Sequence, residues 1–133
     1  MSTSHAVEVR TVVITGTSRG IGHHLAKRFL TEGYGVIGIS RSETAIEHPR
    51  FQSLVADISD LNQVQALSEA LTGQPISGLI NNAGIHGPVG SFDNTPMDAW
   101  VQTFYTNLFG SAALAQVCIP SLRDQNGFII FFS

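Results

Sequence analysis

One cysteine, Cys118, and one lysine, Lys27, stand in 133 residues, and each scarcity closes off a class of protein. A single thiol cannot form an internal disulfide, so the chain is built for packing rather than cross-linking, compatible with a reducing compartment. Seven basic side chains against ten acidic ones give a formal charge of −3. The basic residues are scattered, which argues against a nucleic-acid partner. No apolar run has the length to cross a bilayer. Residues 1–10 carry Glu8 and lack the apolar stretch of a signal peptide. A cytoplasmic protein without a membrane partner is the expectation. The histidines offer no metal site, because His23 and His24 are adjacent and point to different sides of a helix, while His5 and His48 stand alone. Repeats, low-complexity tracts and linkers are absent too, so residues 1–133 read as a single domain.

What is present begins with Val12-Val13-Ile14-Thr15-Gly16-Thr17-Ser18-Arg19-Gly20-Ile21-Gly22, an apolar strand that breaks into three glycines and then a helical pattern. Backbone N–H groups at a helix start are unpaired and lie at the positive end of the helix dipole, so a pyrophosphate there is both bonded and attracted. The three glycines divide the work: a tight turn, close approach of backbone to phosphate, and close packing of helix on strand. The stretch lacks the Gly-Lys-Ser/Thr ending of a P-loop, and its Thr-Gly-x-x-x-Gly-Ile-Gly spacing differs from Gly-x-Gly-x-x-Gly.

The helix that follows carries Ile21, Leu25, Phe29 and Leu30 on one face and ends at Gly33 and Gly35; Val36-Ile37-Gly38-Ile39 resumes as a strand. Leu54-Val55-Ala56 reads as a third strand. Asp60 and Gln63 cap a helix with Leu61, Val64, Leu67 and Leu71, which stops at Gly73. Gly78-Leu79-Ile80 is a fourth strand, and a loop rich in Gly, Pro and Asn follows. Thr95 as N-cap, Pro96 and Asp98 open a helix with Met97, Val101, Phe104, Leu108 and Ala112 on its apolar side, limited by Pro120. Residues 128–132 read as a buried parallel strand. This alternation predicts an α/β, doubly wound parallel sheet covered on both faces. Ligands bind such sheets at the carboxyl ends of the strands, where Gly16, Ser40, Asp57, Asn81 and Ser133 would converge.

Taken in order, the glycine turn, Asp57, Asn81-Asn82-Ala83-Gly84, Asn107 and the closing strand resemble the short-chain dehydrogenase/reductase family over nearly the whole chain. The resemblance implies a Rossmann-like sheet of order 3-2-1-4-5 and a nicotinamide cofactor held by Gly16, Ser18, Arg19, Gly20, Ile21, Gly22, Ser40, Arg41, Asp57, Ile58, Asn82, Ala83 and Gly84. It gives Asp57 the adenine amino group and Ile58 the flank of the ring. Asn81 is expected to tie neighbouring strands, and Asn82, Ala83 and Gly84 to let the adenosine half approach. It also implies a catalytic set of asparagine, serine and Tyr-x-x-x-Lys acting on a small-molecule carbonyl or alcohol, and a homo-oligomer for the intact protein.

The second strand ends in Ser40 and Arg41, about 20 residues beyond the glycines, where an acid would mark the ribose 2′-hydroxyl of NAD. Arg41, with Arg19 inside the turn, suits a 2′-phosphate and so favours NADP. The alternative leaves both arginines solvated and makes Glu43 the ribose acid. Asn107 matches the catalytic asparagine, and Ser133 stands where the family's serine, or the residue just before it, would lie. The tyrosine–lysine pair has no counterpart, since Tyr34 and Tyr105 are followed four positions later by Gly38 and Phe109. His86, just beyond Gly84, reads as an ordinary loop residue, the alternative being that it faces the nicotinamide side of the cleft. The chain therefore reads as the amino-terminal, cofactor-binding part of an NADP-dependent oxidoreductase, truncated after the fifth strand and inactive by itself. A non-catalytic dinucleotide-binding or regulatory module is the alternative.

Overall fold

The central strand of the sheet is its most hidden part: Val12, Val13 and Ile14 of β1 (Thr11–Thr15) have no exposed surface. In the computed structural model, which describes residues 9–85 and 87–132, β1 is flanked by β2 (Gly35–Ser40) and β4 (Ile76–Asn81). The edges are β3 (Phe51–Val55) and β5 (Phe128–Phe131). All pairings are parallel, in the order β3-β2-β1-β4-β5. This is the predicted doubly wound sheet.

Strand alternation sends side chains to two cores. Val12, Ile14, Val36 and Ile80 meet Ala26 and Leu30 of α1 (Gly20–Thr31). Val13, Ile37, Ile39 and Leu79 meet Val64, Leu67 and Leu71 of α2 (Leu61–Leu71), with Leu114, Cys118 and Leu122 of α4 (Ser111–Asp124). Asp60 caps α2 as expected, accepting from the Asn62 N–H at 2.9 Å, and Gly73 beyond it takes a φ of +81°. The connection between β2 and β3 contains no helix. Its Ile46 packs on the α1 core, and Arg50 donates from Nη2 at 3.3 Å to the Leu30 carbonyl, which also accepts from the Gly33 N–H at 3.1 Å, placing a cation at the α1 carboxyl end.

Several expectations need correction. Ile21 is 63% exposed; the buried stripe of α1 is Gly22, Ala26 and Leu30. Leu61, the first residue of α2, is likewise exposed. Thr95 does not cap α3 (Met97–Phe104), because its hydroxyl donates to the Ser91 carbonyl, closing a 3₁₀ turn at Phe92–Asn94; Pro96 occupies the cap position. Pro120 does not end the last helix, which runs on to Asp124; Pro120 and Gln116 are both exposed, so the carbonyl that loses its N–H partner lies on the solvated side. β5 is parallel but exposed along most of its length, having no neighbour on its outer side among the described residues.

The apolar stripe read for residues 97–112 also faces outward: Met97, Val101, Phe104 and Leu108 are exposed and α3 buries nothing fully. A π-helical turn, Tyr105–Gly110, joins α3 to α4. The stripe that goes inward is Thr106, Gly110, Ser111, Leu114, Ala115, Cys118 and Leu122. Its first three residues are small or polar, which hides it from an apolar-periodicity reading. Gly110 is obligatory there, since a Cβ would stand 2.0 Å from the Ile58 carbonyl oxygen.

Two outcomes follow from this packing. Gly110→Ala drives a methyl into backbone that cannot swing away, so it should destabilise by about 1–3 kcal/mol, read as a lower urea midpoint; an unchanged midpoint would contradict the close approach. Burial pushes the Cys118 thiol up to about 11 from its usual 9.0. Between those values the unfolded chain has lost a proton that the folded chain keeps, so this contribution is fully present below pH 9 and is lost as pH rises toward 11. The pH dependence of the urea midpoint should be steeper in the wild type than in Cys118→Ala across that window.

Candidate functional site

At the carboxyl ends of the strands lies a cleft of about 1140 Å³. Its wall includes Gly16, Ser18, Arg19, Gly20 and Ile21 from the glycine turn, Ser40 and Arg41 after β2, Asp57 and Ile58 after β3, and Asn82, Ala83 and Gly84 after β4. Of the residues expected to hold a cofactor, only Gly22 is off the wall. It lies beneath, pressed against the turn, where a Cβ would stand 2.1 Å from the Gly16 carbonyl oxygen.

The turn closes with the Gly16 N–H donating to the Ile39 carbonyl at 2.7 Å. Gly20 then takes a φ of +63°, a left-handed conformation natural to glycine, with open space where a side chain would be. Helix α1 starts after Arg19, which is extended and gives no side-chain cap, and its first turn holds no acid. The amides of that turn thus face the cleft with a cation beside them and no internal partner supplied by a cap.

The opposite wall is stitched to β1 by a residue that sequence reading passed over. Thr15, fully buried, accepts at Oγ1 from the N–H groups of both Asn82 (3.0 Å) and Ala83 (2.9 Å). Asn82 returns its side-chain Nδ2 to the Thr15 carbonyl at 3.2 Å and lies 3.4 Å from that of Gly16. A hydroxyl ending an otherwise apolar buried strand was the available signal, because such a group must find partners. Asn81 behaves differently from expectation. Its side chain is buried with neither nitrogen nor oxygen bonded among the described residues; only its backbone carbonyl ties strands, accepting from the Phe132 N–H at 3.1 Å.

Asp57 has its carboxylate half-committed. Oδ1 accepts from the Ser59 N–H at 2.9 Å and from the Ser59 hydroxyl at 2.7 Å, while no bond occupies Oδ2 among the described residues. The Asp57 N–H donates to Gln63 Oε1 at 2.8 Å, and Gln102 Nε2 donates to the Ser59 hydroxyl at 2.9 Å. The carboxylate is thus oriented from two helices, α2 and α3, with one oxygen left for a donor in the cleft.

Asn107 sits on the π-helical turn rather than inside a regular helix, and it is exposed. Its Oδ1 accepts from the Ile85 N–H and its Nδ2 donates to the Ile85 carbonyl, both at 2.8 Å, so the amide clamps the segment that continues from Gly84. Ile85 in turn lines the cleft. Ser133 and His86 lie outside the described residues. Glu43 lines the same stretch of wall as Arg41, so both candidate readers of the ribose 2′-position are present.

The sequence matches the family model for short chain dehydrogenases over residues 10–133. It is 32% identical over 120 residues to the short-chain dehydrogenase/reductase cdmF of Talaromyces verruculosus, covering 86% of this chain and 47% of that protein. A short-chain dehydrogenase/reductase from Burkholderia multivorans with bound NADP superposes with a TM-score of 0.82 at 26% identity, covering 95% of this chain and 59% of that one. A short chain dehydrogenase from Leptospira borgpetersenii with bound NAD+ gives a TM-score of 0.82 at 25% identity, covering 92% and 50%. The chain spans about half the length of the cdmF protein. With the sheet order, the glycine turn and the cleft in agreement, the chain belongs to the short-chain dehydrogenase family.

Proposed function

We propose that this chain is the cofactor-binding part of an NADP-dependent oxidoreductase that moves hydride between the nicotinamide and a carbonyl or alcohol substrate. The observation that carries this reading is the uncapped start of α1, with Arg19 beside it, opening onto the cleft that Asp57 and Arg41 also line. The parts fit the group. Amides at Gly20 and beyond would receive the pyrophosphate, the free oxygen of Asp57 would accept from the adenine amino group, and Ile58 would lie against the ring. Arg41 follows β2 directly and would offer a planar fork to a 2′-phosphate, with Arg19 also on the cleft wall.

The nicotinamide, when bound, supplies or takes the hydride. Asn107 fixes the Ile85 backbone at the cleft wall, and Ser133 is assigned to orient the substrate oxygen. The 133 residues contain no Tyr-x-x-x-Lys pair, so proton transfer of the family kind is not a property of this stretch by itself. The outward apolar side of Met97, Val101, Phe104 and Leu108 supports association of the intact protein with a second copy.

Two measurements test this. In the intact protein NADPH should bind more tightly than NADH, and Arg41→Ala should weaken NADPH by roughly tenfold or more while leaving NADH within about threefold, since a charge-assisted pair contributes about 1.5–3 kcal/mol. Equal affinities in both proteins would favour Glu43 as the reader. In sedimentation the intact protein should run as a dimer or larger, and Val101→Asp with Leu108→Asp should shift it toward monomer; a monomeric wild type would remove the association reading.

A further inference from the structure

Two threonine hydroxyls lie against each other behind the cleft, and none of the roles assigned so far uses them. Thr17 follows the first glycine of the turn and is fully buried; Thr44, in the connection between β2 and β3, is nearly so. Their Oγ1 atoms are 2.7 Å apart, joining segments 27 positions distant in sequence. The Thr44 N–H also donates to the Ser53 hydroxyl of β3 at 3.0 Å. Room for the Thr17 hydroxyl exists because β2 carries glycine at position 38, where a Cβ would stand 2.6 Å from that oxygen.

A buried hydroxyl left unbonded is unfavourable, so this pair holds its two segments together in one arrangement. The segments are the ones that carry the charges of the cleft. Arg19 follows Thr17 by two positions, and Arg41 and Glu43 precede Thr44 by three and one; all three line the wall, whereas Thr17 and Thr44 do not. Residues 43–48 have no regular structure, so no helix or strand ladder fixes the charges near Thr44. Arg41 and Glu43 stand two positions apart on this stretch, and both line the cleft wall.

We infer that the Thr17–Thr44 hydroxyl pair is a latch that sets how Arg41 and Glu43 stand in the cleft that Arg19 also lines, and thereby sets the discrimination between dinucleotides with and without a 2′-phosphate. This rests on the cofactor reading above. Both threonines are positioning residues, acting through their neighbours.

The experiment titrates NADPH and NADH into the intact wild type, Thr17→Ser, Thr17→Val, Thr44→Val and the double valine variant. The double variant removes both hydroxyls while keeping the shapes, so no buried donor is orphaned and the fold is retained even where a single valine variant fails. Expected is a fall in the NADPH-to-NADH affinity ratio of about fivefold to tenfold in the double variant, similar in either single variant because the pair acts as a unit. Thr17→Ser keeps the hydroxyl and should keep the wild-type ratio. If the double variant weakens both dinucleotides equally, or neither, while the wild type discriminates, the latch is overturned and the cofactor reading stands. A wild type that binds neither dinucleotide overturns the cofactor reading and the latch with it.

Discussion

The cleft depends on one contact made without a side chain, Gly22 of α1 against the Gly16 carbonyl. A Cβ at position 22 would lie 2.1 Å from that oxygen and 2.6 Å from Asn82 Nδ2. The start of the helix, the end of β1 and the end of β4 therefore meet at one point. Two stretches of the cleft wall are attached to this junction: Ser18, Arg19 and Gly20 on one side, Ala83 and Gly84 on the other. Thr15 fastens the second side by accepting two successive backbone N–H groups, so the walls cannot separate without orphaning buried donors. The clamp of Asn107 on Ile85 carries the same rigidity toward α4.

What was legible in the sequence was whatever follows from period and from short range. Strands with two buried faces read as apolar runs, the Asp60 cap and the glycine turn read from residue type, and their order gave the sheet. Nearly all the residues expected at the cofactor share the cleft wall because each lies at a strand end, which topology alone brings together. Residues 97–124 misled because their inward stripe opens with Thr106, Gly110 and Ser111, while the apolar residues point out. Thr95 misled because a 3₁₀ turn took its hydroxyl. The hydroxyl contacts of Thr15, Thr17 and Thr44 were invisible for another reason: a polar side chain buried at long sequence separation has no periodic signature.

The two faces of the sheet are finished to different degrees. Around α1, the helix-free connection brings Ile46 onto the core and Arg50 onto the carboxyl end of the helix, so that side closes with few elements. Around α4, the core is filled, yet Phe128, Ile130 and Phe131 of β5 stand exposed on an edge that no further strand pairs with among the described residues. Lone exposed apolar side chains are ordinary, but a run of them along a sheet edge is a surface of the kind that other protein covers. The Asn81 side-chain amide, without a partner among the described residues, lies next to the last residue of β5.

The start of α1 is where the fold is least self-sufficient, and this follows from charge. The positive end of a helix is normally offset by a capping oxygen or an acid in the first turn. Here the cap residue is Arg19, whose guanidinium has no acceptor for the first-turn N–H groups, and the first turn contains no acid. Cation and helix dipole oppose each other at this point in the ligand-free chain. An anion in the cleft reverses the sign of both terms together, satisfying the free amides and pairing the guanidinium. Binding free energy of such a ligand is also folding free energy for the turn. The local arrangement is therefore unfavourable in the one state the protein would hold without its cofactor, and favourable in the state in which it would work.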